Sequence, residues 1–529
     1  MKQKISNMRN KIIILLLSTV VVLSSCKKFL DINTNPNEAT SATPQLILPQ
    51  AIVATANQVN GYNTTGAQLG GLMANAGGYG GFGSAVTYAF SSADHQGRWG
   101  FYDVLNDYQL VINYSAGDPS LRLFNATARI MRAHGFQMLV DEYNSIPYSD
   151  ALKGVATLTP KYDDPAVVYK DLADELDKAI DTINAALLAT VSPTPLTSAT
   201  DPMFNGNMTN WKKFANTLKL KIIVTANGKV TFSAKNKTFT DGFLTTDALI
   251  NPGYVRNTGK QNPKWSTWGF TETGGDGNKA WMPNTFVMAF YHGEKLLDNG
   301  RGAALYYTFP STPTNRLGYE GPPAASASPS GSFWYPSSNR DGKTAGNARG
   351  ALKGPEAGIP VITAAESYFL QAEAAVRGIT GGTAKTLFES GILASYNYLY
   401  KLPDGTISGS PATDFATYMS YNNTSFWVNF DLALTTAQKI EAIITQKYIA
   451  MNMVNSDVAW NDYRRTGYPT VVNTPGATGV QTFASTQSKS TRPDHLPTRI
   501  LYPSSEGAYN SANVPRGIDP YSSLIFWAQ

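Results

Sequence analysis

Apolar residues recur every three or four positions in separate blocks of this chain, and between the blocks no period holds. Leu123, Ala126, Ile130, Ala133, Phe136 and Val140 make one such stripe. Leu172, Leu176, Ile180, Ile183 and Leu187 make another. That second stripe opens with Asp163-Asp164-Pro165, a capping side chain followed by proline at the first helical position. Residues 211–226 read as a further helix. Ala365, Phe369, Ala372 and Val376 mark one ended by Gly378, with 384–400 as its partner, and Ile440, Ile444, Tyr448 and Met451 mark another. The spacing is that of amphipathic helices burying one face.

The intervening stretches 190–210, 251–282, 310–360, 402–428 and 469–498 are rich in Gly, Pro, Ser, Thr and Asn. Loops of that length are uncommon in compact domains and usually carry function or stay disordered. Paired helices with small Ala positions where they would cross resemble tetratricopeptide-type hairpins, although the repeat is too degenerate to establish them. The expectation is a mostly α fold: tetratricopeptide-like helical hairpins with long irregular loop insertions and minor β. Helical blocks stand at both ends of the chain, which favours one interleaved domain over 46–529. The scaffold would lie mainly in 46–250 and 361–465, and the loop-rich elaboration in 251–360 and 466–529.

The N-terminus tells of location. Lys2, Lys4, Arg9 and Lys11 precede an apolar stretch of about a dozen residues, 12–23, and Leu23-Ser24-Ser25-Cys26 follows. A charged start, a short apolar run and small residues describe a secretory signal over 1–25. The apolar run is too short for the ~20 residues that span a bilayer. Leu-Ser-Ser-Cys resembles a bacterial lipobox, which makes Cys26 the expected lipidation site and 26–45, polar and turn-prone, a tether. Cys26 is the only cysteine among 529 residues, so disulfides, thiol catalysis and cysteine-bound zinc are excluded. Removing the signal's four basic residues from 43 leaves 39 against 38 acidic ones, a net charge of +1. A neutral chain of this kind carries no electrostatic footprint for nucleic acid.

Several segments resemble, in order, the SusD/RagB-type lipoprotein family. The expected mature start, Cys26-Lys-Lys-Phe-Leu-Asp31-Ile-Asn-Thr-Asn-Pro-Asn, is similar to the family branch with an Asn-Thr-Asn-Pro-Asn opening. Asp141-Glu-Tyr-Asn-Ser-Ile146-Pro147-Tyr148-Ser-Asp-Ala151 resembles a segment that follows a family helix, with Asn144 and Ser145 in place of its usual Gly-Asp or Gly-Glu. Trp211–Leu220, Ala364–Ala374, Gln446–Met451 with Trp460–Pro469, and Pro497–Glu506 match further blocks. The resemblance implies a non-catalytic nutrient-binding lipoprotein facing outwards from the outer membrane. It would capture oligosaccharide and act as a lid over a SusC-like TonB-dependent barrel transporter, with no cofactor and no metal. A peptide-binding RagB-like receptor is the alternative, and a surface glycoside hydrolase a more distant one. Within these blocks Trp460, Arg464, Arg465, Arg499 and Glu506 read as polar anchors of the scaffold.

Gly78-Tyr-Gly80-Gly-Phe-Gly83 satisfies G-x-G-x-x-G, but Ser84–Phe90 after it reads as extended rather than helical, which removes the dinucleotide reading. The loop reads instead as a flexible presenter of Tyr79 and Phe82, or as plain surface. His95, His134, His292 and His495 show no metal-site spacing, and no G-x-S-x-G elbow occurs. A neutral sugar would rest its C–H faces on aromatic rings. The densest loop aromatics are Trp265, Trp268 and Phe270, then Trp281, then Phe333, Trp334 and Tyr335, with Tyr79 and Trp99 in second rank. Each cluster could equally be a small core that pins a long loop.

Overall fold

The computed structural model describes residues 42–190, 192–320 and 329–529. Cys26, the signal 1–25 and the tether as far as residue 41 lie outside the described residues. Ten helices of eleven residues or more carry the described architecture: α1 (Pro44–Leu69), α2 (Phe101–Tyr114), α3 (Arg122–Tyr143), α4 (Pro165–Leu187), α5 (Met208–Thr225), α6 (Ala364–Val376), α7 (Ala384–Tyr400), α8 (Pro411–Tyr421), α9 (Thr436–Met451) and α10 (Ser456–Thr466). Each of α1 to α6 packs on the next, α6 also takes α7 and α9, and α10 returns to pack on α1. The helical succession therefore closes on itself.

The helix starts are encoded locally. Asp164 accepts from the N–H groups of Ala166 and Val167, Asn207 from Asn210, and Thr363 from Glu366. Thr435 and Gln438 cap each other reciprocally at the start of α9. Each cap satisfies amide groups that the first helical turn leaves without partners. α1 crosses α10 so closely that a Cβ on Gly66 would stand 2.3 Å from Asp457 Cα. Only glycine fits there.

β-structure is confined to three two-stranded antiparallel ribbons among the described residues. They pair β1 (Met73–Asn75) with β5 (Trp281–Pro283), β2 (Ile146–Pro147) with β3 (Tyr162–Asp163), and β4 (Ala248–Ile250) with β6 (Ile359–Ile362). The long stretches read as irregular also hold helices: α8 lies inside 402–428, and a short helix, Pro263–Trp268, lies inside 251–282.

Buried ionic groups join the family-like blocks. Arg465 on α10 grips Glu373 of α6 through two bonds of 2.6 and 2.8 Å and reaches Asp462 at 2.9 Å. Lys447 of α9 meets the same Asp462 at 3.0 Å. Arg464 stacks 3.6 Å over the Trp460 ring and donates to the carbonyls of Asp141 and Thr498. Arg499 and the Tyr502 hydroxyl both donate to the carbonyl of Tyr143, at the end of α3. Glu506 accepts from the Tyr162 hydroxyl at 2.7 Å. Paired in this way, charges can sit in the interior.

Candidate ligand-binding site

The β1–β5 ribbon is the platform, continued by the Ala76 N–H donating to the Ala280 carbonyl at 2.8 Å. The chain leaves β1 through Gly78 and Gly81, at φ +85° and +82°, conformations that side chains with a Cβ avoid. A Cβ on Gly80, Gly81 or Gly83 would meet nothing within 4 Å, so this loop stands clear of the body. Its two rings turn back. Tyr79 packs on Ala76, Met282 and Phe333, and Phe82 meets Trp281 edge-on at 5.3 Å. Both rings stay partly exposed.

A second loop is tied to the same strand. Asn75 donates to the Tyr319 carbonyl at 3.1 Å and accepts from the Gly318 N–H at 2.7 Å. Asn315 donates to the carbonyls of Asn75 and Tyr319, both at 2.8 Å. The Tyr319 ring is left 52% exposed, and Gln487 braces the loop through Gly318 and Glu320. A lone aromatic in a polar loop gives no sequence signal, and Tyr319 escaped the sequence reading. Loops tied to β1 thus carry three partly exposed rings, Tyr79, Phe82 and Tyr319, and the Tyr319 loop also carries Glu320, held by Gln487.

The other expected residues fall elsewhere. Trp265, Trp268, Phe270, Trp334 and Tyr335 are at most 1% exposed, Phe333 2% and Trp281 7%. The two loops interlock: Trp265 meets Tyr335 at 5.2 Å and Trp268 meets Trp334 at 5.6 Å, both edge-on. Phe270 closes the group against Trp265 at 5.7 Å. Their faces are covered by one another. The expectation that these seven rings present themselves to a ligand is therefore corrected: they are a core under the loops, because edge-to-face packing between two long loops buries more apolar surface than either could alone. Trp281 and Phe333 serve the site from below, as the floor under Phe82 and Tyr79. Trp99 is partly exposed but belongs to another cluster, packed with Tyr102 and Tyr143 at 4.9 Å each.

The G-x-G-x-x-G segment follows a three-residue antiparallel strand and precedes a four-residue helix, Ser84–Thr87. The extended reading of 84–90 is corrected there, yet nothing resembles a parallel βαβ unit. His134 is buried beside Phe214, and desolvation pulls its pKa down to about 3. Asp141 and Glu142, at the end of α3, are also fully buried, and desolvation pushes them up to about 6 and about 7. These groups sit in the scaffold. Among the described residues no three His, Cys, Asp or Glu side chains could hold a metal ion, and no helix is long and apolar enough to cross a membrane.

Residues 36–503 match the profile of a SusD-like family described as starch-binding, associating with the outer membrane. A SusD homolog from Bacteroides fragilis is similar in structure, at 22% identity and a TM-score of 0.63, covering 92% of this chain and 99% of its own. A SusD homolog from Bacteroides uniformis gives 23% identity and a TM-score of 0.62, covering 91% and 99%. A chitin-binding SusD homolog from Flavobacterium johnsoniae gives 23% identity and a TM-score of 0.64, covering 90% and 98%. No curated protein sequence matches the chain.

Proposed function

Because the chain belongs to the SusD-like family, we propose that it is a cell-surface lipoprotein that captures oligosaccharide and delivers it, as a lid, to a SusC-like TonB-dependent barrel. Members of the family are non-catalytic binding proteins associated with the outer membrane. The observation that carries the choice of ligand site is the Gly-rich loop 78–83. It presents Tyr79 and Phe82 partly exposed over a buried aromatic floor, and the exposed Tyr319 stands on a loop tied to the same strand. Rings held from beneath and open above suit the C–H faces of a sugar, while the second carboxylate oxygen of Glu320 is left to accept from hydroxyls. Glycine at all three positive-φ positions, 78, 81 and 83, lets the loop adjust to a sugar chain. Lipidation at Cys26 would anchor this body, and the polar residues after it would let it swing over the barrel.

A peptide ligand, the RagB-like reading, would rely on backbone-reading polar groups and less on rings. The two are separated by titrating the mature protein with neutral glycan hexamers and with mixed peptides. Tyr79→Ala and Phe82→Ala should each weaken glycan binding at least tenfold with little change in melting temperature. Tight peptide binding with no glycan binding would overturn the oligosaccharide reading.

A further inference from the structure

A second cleft lies far along the chain from the Gly-rich loop and shares no residue with that site. It has a volume of about 450 Å³, inside the ~300–1,000 Å³ usual for small-molecule sites. Its back wall is one stripe of α7: Ser390, Leu393, Ala394 and Asn397, at the i, i+3, i+4, i+7 spacing of a single helix face. Ala364 and Tyr368 of α6 form the adjoining wall, one turn apart. The remaining sides are the approach to β4 at Thr245–Asp247 and a hairpin at 401–407.

Two braces hold these walls. Asp247 Oδ1 accepts from the Ala364 N–H at 3.0 Å, fixing the β4 approach to the start of α6. The buried Lys353 ammonium donates to the carbonyls of Tyr398 and Lys401, and Ser408 N–H reaches Tyr400 O at 2.9 Å, so the hairpin is clamped to the end of α7. The cleft is preformed.

Its rim is uncommitted. Among the described residues the Tyr368 and Ser390 hydroxyls and the Asn397 amide make no hydrogen bond to protein. Polar groups in the comparable cleft on α2, α3 and α4 behave differently: Arg129 and Arg132 both pair with Glu175, at 2.6 and 3.0 Å, and Tyr148 donates to Asp171. The back wall and the hairpin side of the α6–α7 cleft also carry apolar surface, through Leu393, Ala394 and the half-exposed Ile407. One carboxylate, Asp247, and one ammonium, Lys401, line the cleft within electrostatic reach of each other. An anion or a cation would leave one of them unmatched, whereas a neutral polyhydroxylated ligand would satisfy the hydroxyl and amide rim and lay its C–H faces on Tyr368 and Ile407.

We infer that the α6–α7 cleft is a second site, which binds a short segment of neutral oligosaccharide independently of the Gly-rich loop. The inference rests on the oligosaccharide reading above, and the test separates the two. The full mature protein, held in a zwitterionic, sugar-free detergent, is titrated calorimetrically with the β-1,4 N-acetylglucosamine hexamer and with maltohexaose. The expected result is two sites for at least one hexamer. Tyr368→Ala should weaken one of them at least tenfold, and Ala394→Trp, which fills the cleft, should abolish it. Tyr79→Ala combined with Phe82→Ala should remove the other site only. Circular dichroism melting within a degree or two of the parent shows that the variants fold, and Tyr368→Ala alone suffices if Ala394→Trp does not. A single site that is lost with Tyr79 and Phe82 and untouched by Tyr368→Ala overturns the second site while leaving the first standing. Binding of neither hexamer overturns both.

Discussion

Replacing Trp268 by alanine separates a ring that touches ligand from a ring that holds loops together. The Trp268 side chain is fully buried, edge-on to Trp334 at 5.6 Å. A buried tryptophan removes ~150–250 Å² from water, which at ~25 cal/mol/Å² is about 4–6 kcal/mol. Measured Trp→Ala changes in cores cost ~3–5 kcal/mol, so about 4 kcal/mol is the working figure. The indole N–H has no hydrogen-bond partner among the described residues, so packing is all that is lost. Unfolding entropy of ~2.1 cal/mol/K per residue, over the roughly 480 described residues, is about 1 kcal/mol/K. The expected fall in Tm is therefore about 4 °C, with Trp268→Phe falling less because it leaves a smaller void. Scanning calorimetry measures this, and a glycan titration at 20 °C below Tm should show affinity changed less than threefold. An unchanged Tm together with a tenfold loss of affinity would refute the reasoning and return Trp268 to the ligand site.

Glu142→Gln tests the buried carboxyl. Its folded pKa of about 7 lies above the ordinary 4.5, so its protonated form is favoured in the fold and its contribution is complete below about pH 4.5 and lost as pH rises through 7. The substitution should raise Tm at pH 8 by up to about 3 °C, from ~1.36 kcal/mol per pKa unit, and leave it unchanged at pH 4.5; a gain at both values would contradict the assignment. His134 acts oppositely: its pKa near 3 means that stability falls as pH drops below 6.5, and His134→Phe should flatten the acid side of the melting profile. Glu373→Gln removes the carboxylate that Arg465 holds through two bonds, and a loss of about 3 kcal/mol is expected in denaturant unfolding. A loss below 1 kcal/mol would show that Asp462 alone satisfies Arg465.

What the sequence made legible follows from how each element is buried. Helix α4 shows its period because one face meets the core and the other meets water, whereas α3 and α5 are buried on all sides over 133–143 and 214–224 and show theirs only through the spacing of their apolar residues. α1, the longest, hides its period: Thr55, Asn60, Asn63 and Thr65 are buried on it beside Ile47, Leu48 and Ile52. A helix wrapped by α2, α10 and loops needs polar residues inside for its neighbours, as where Asn63 accepts from the Ser456 N–H at 2.9 Å. α10 hides for a related reason, since Asp457, Asp462, Arg464 and Arg465 are buried on it and no apolar stripe remains. α8 buries only Tyr418 of its own length and reads as loop. The same logic divides the candidate site. Tyr79 and Phe82 could be singled out because glycines flank them in a short loop, and the structure turns both rings back onto Ala76, Met282, Phe333 and Trp281 while leaving them partly exposed. Trp265 and Trp334 stand about seventy positions apart, and nothing local shows that their loops meet and cover each other. An aromatic on a loop is thus ambiguous when another aromatic loop exists to bury it, and informative when its own neighbours cannot.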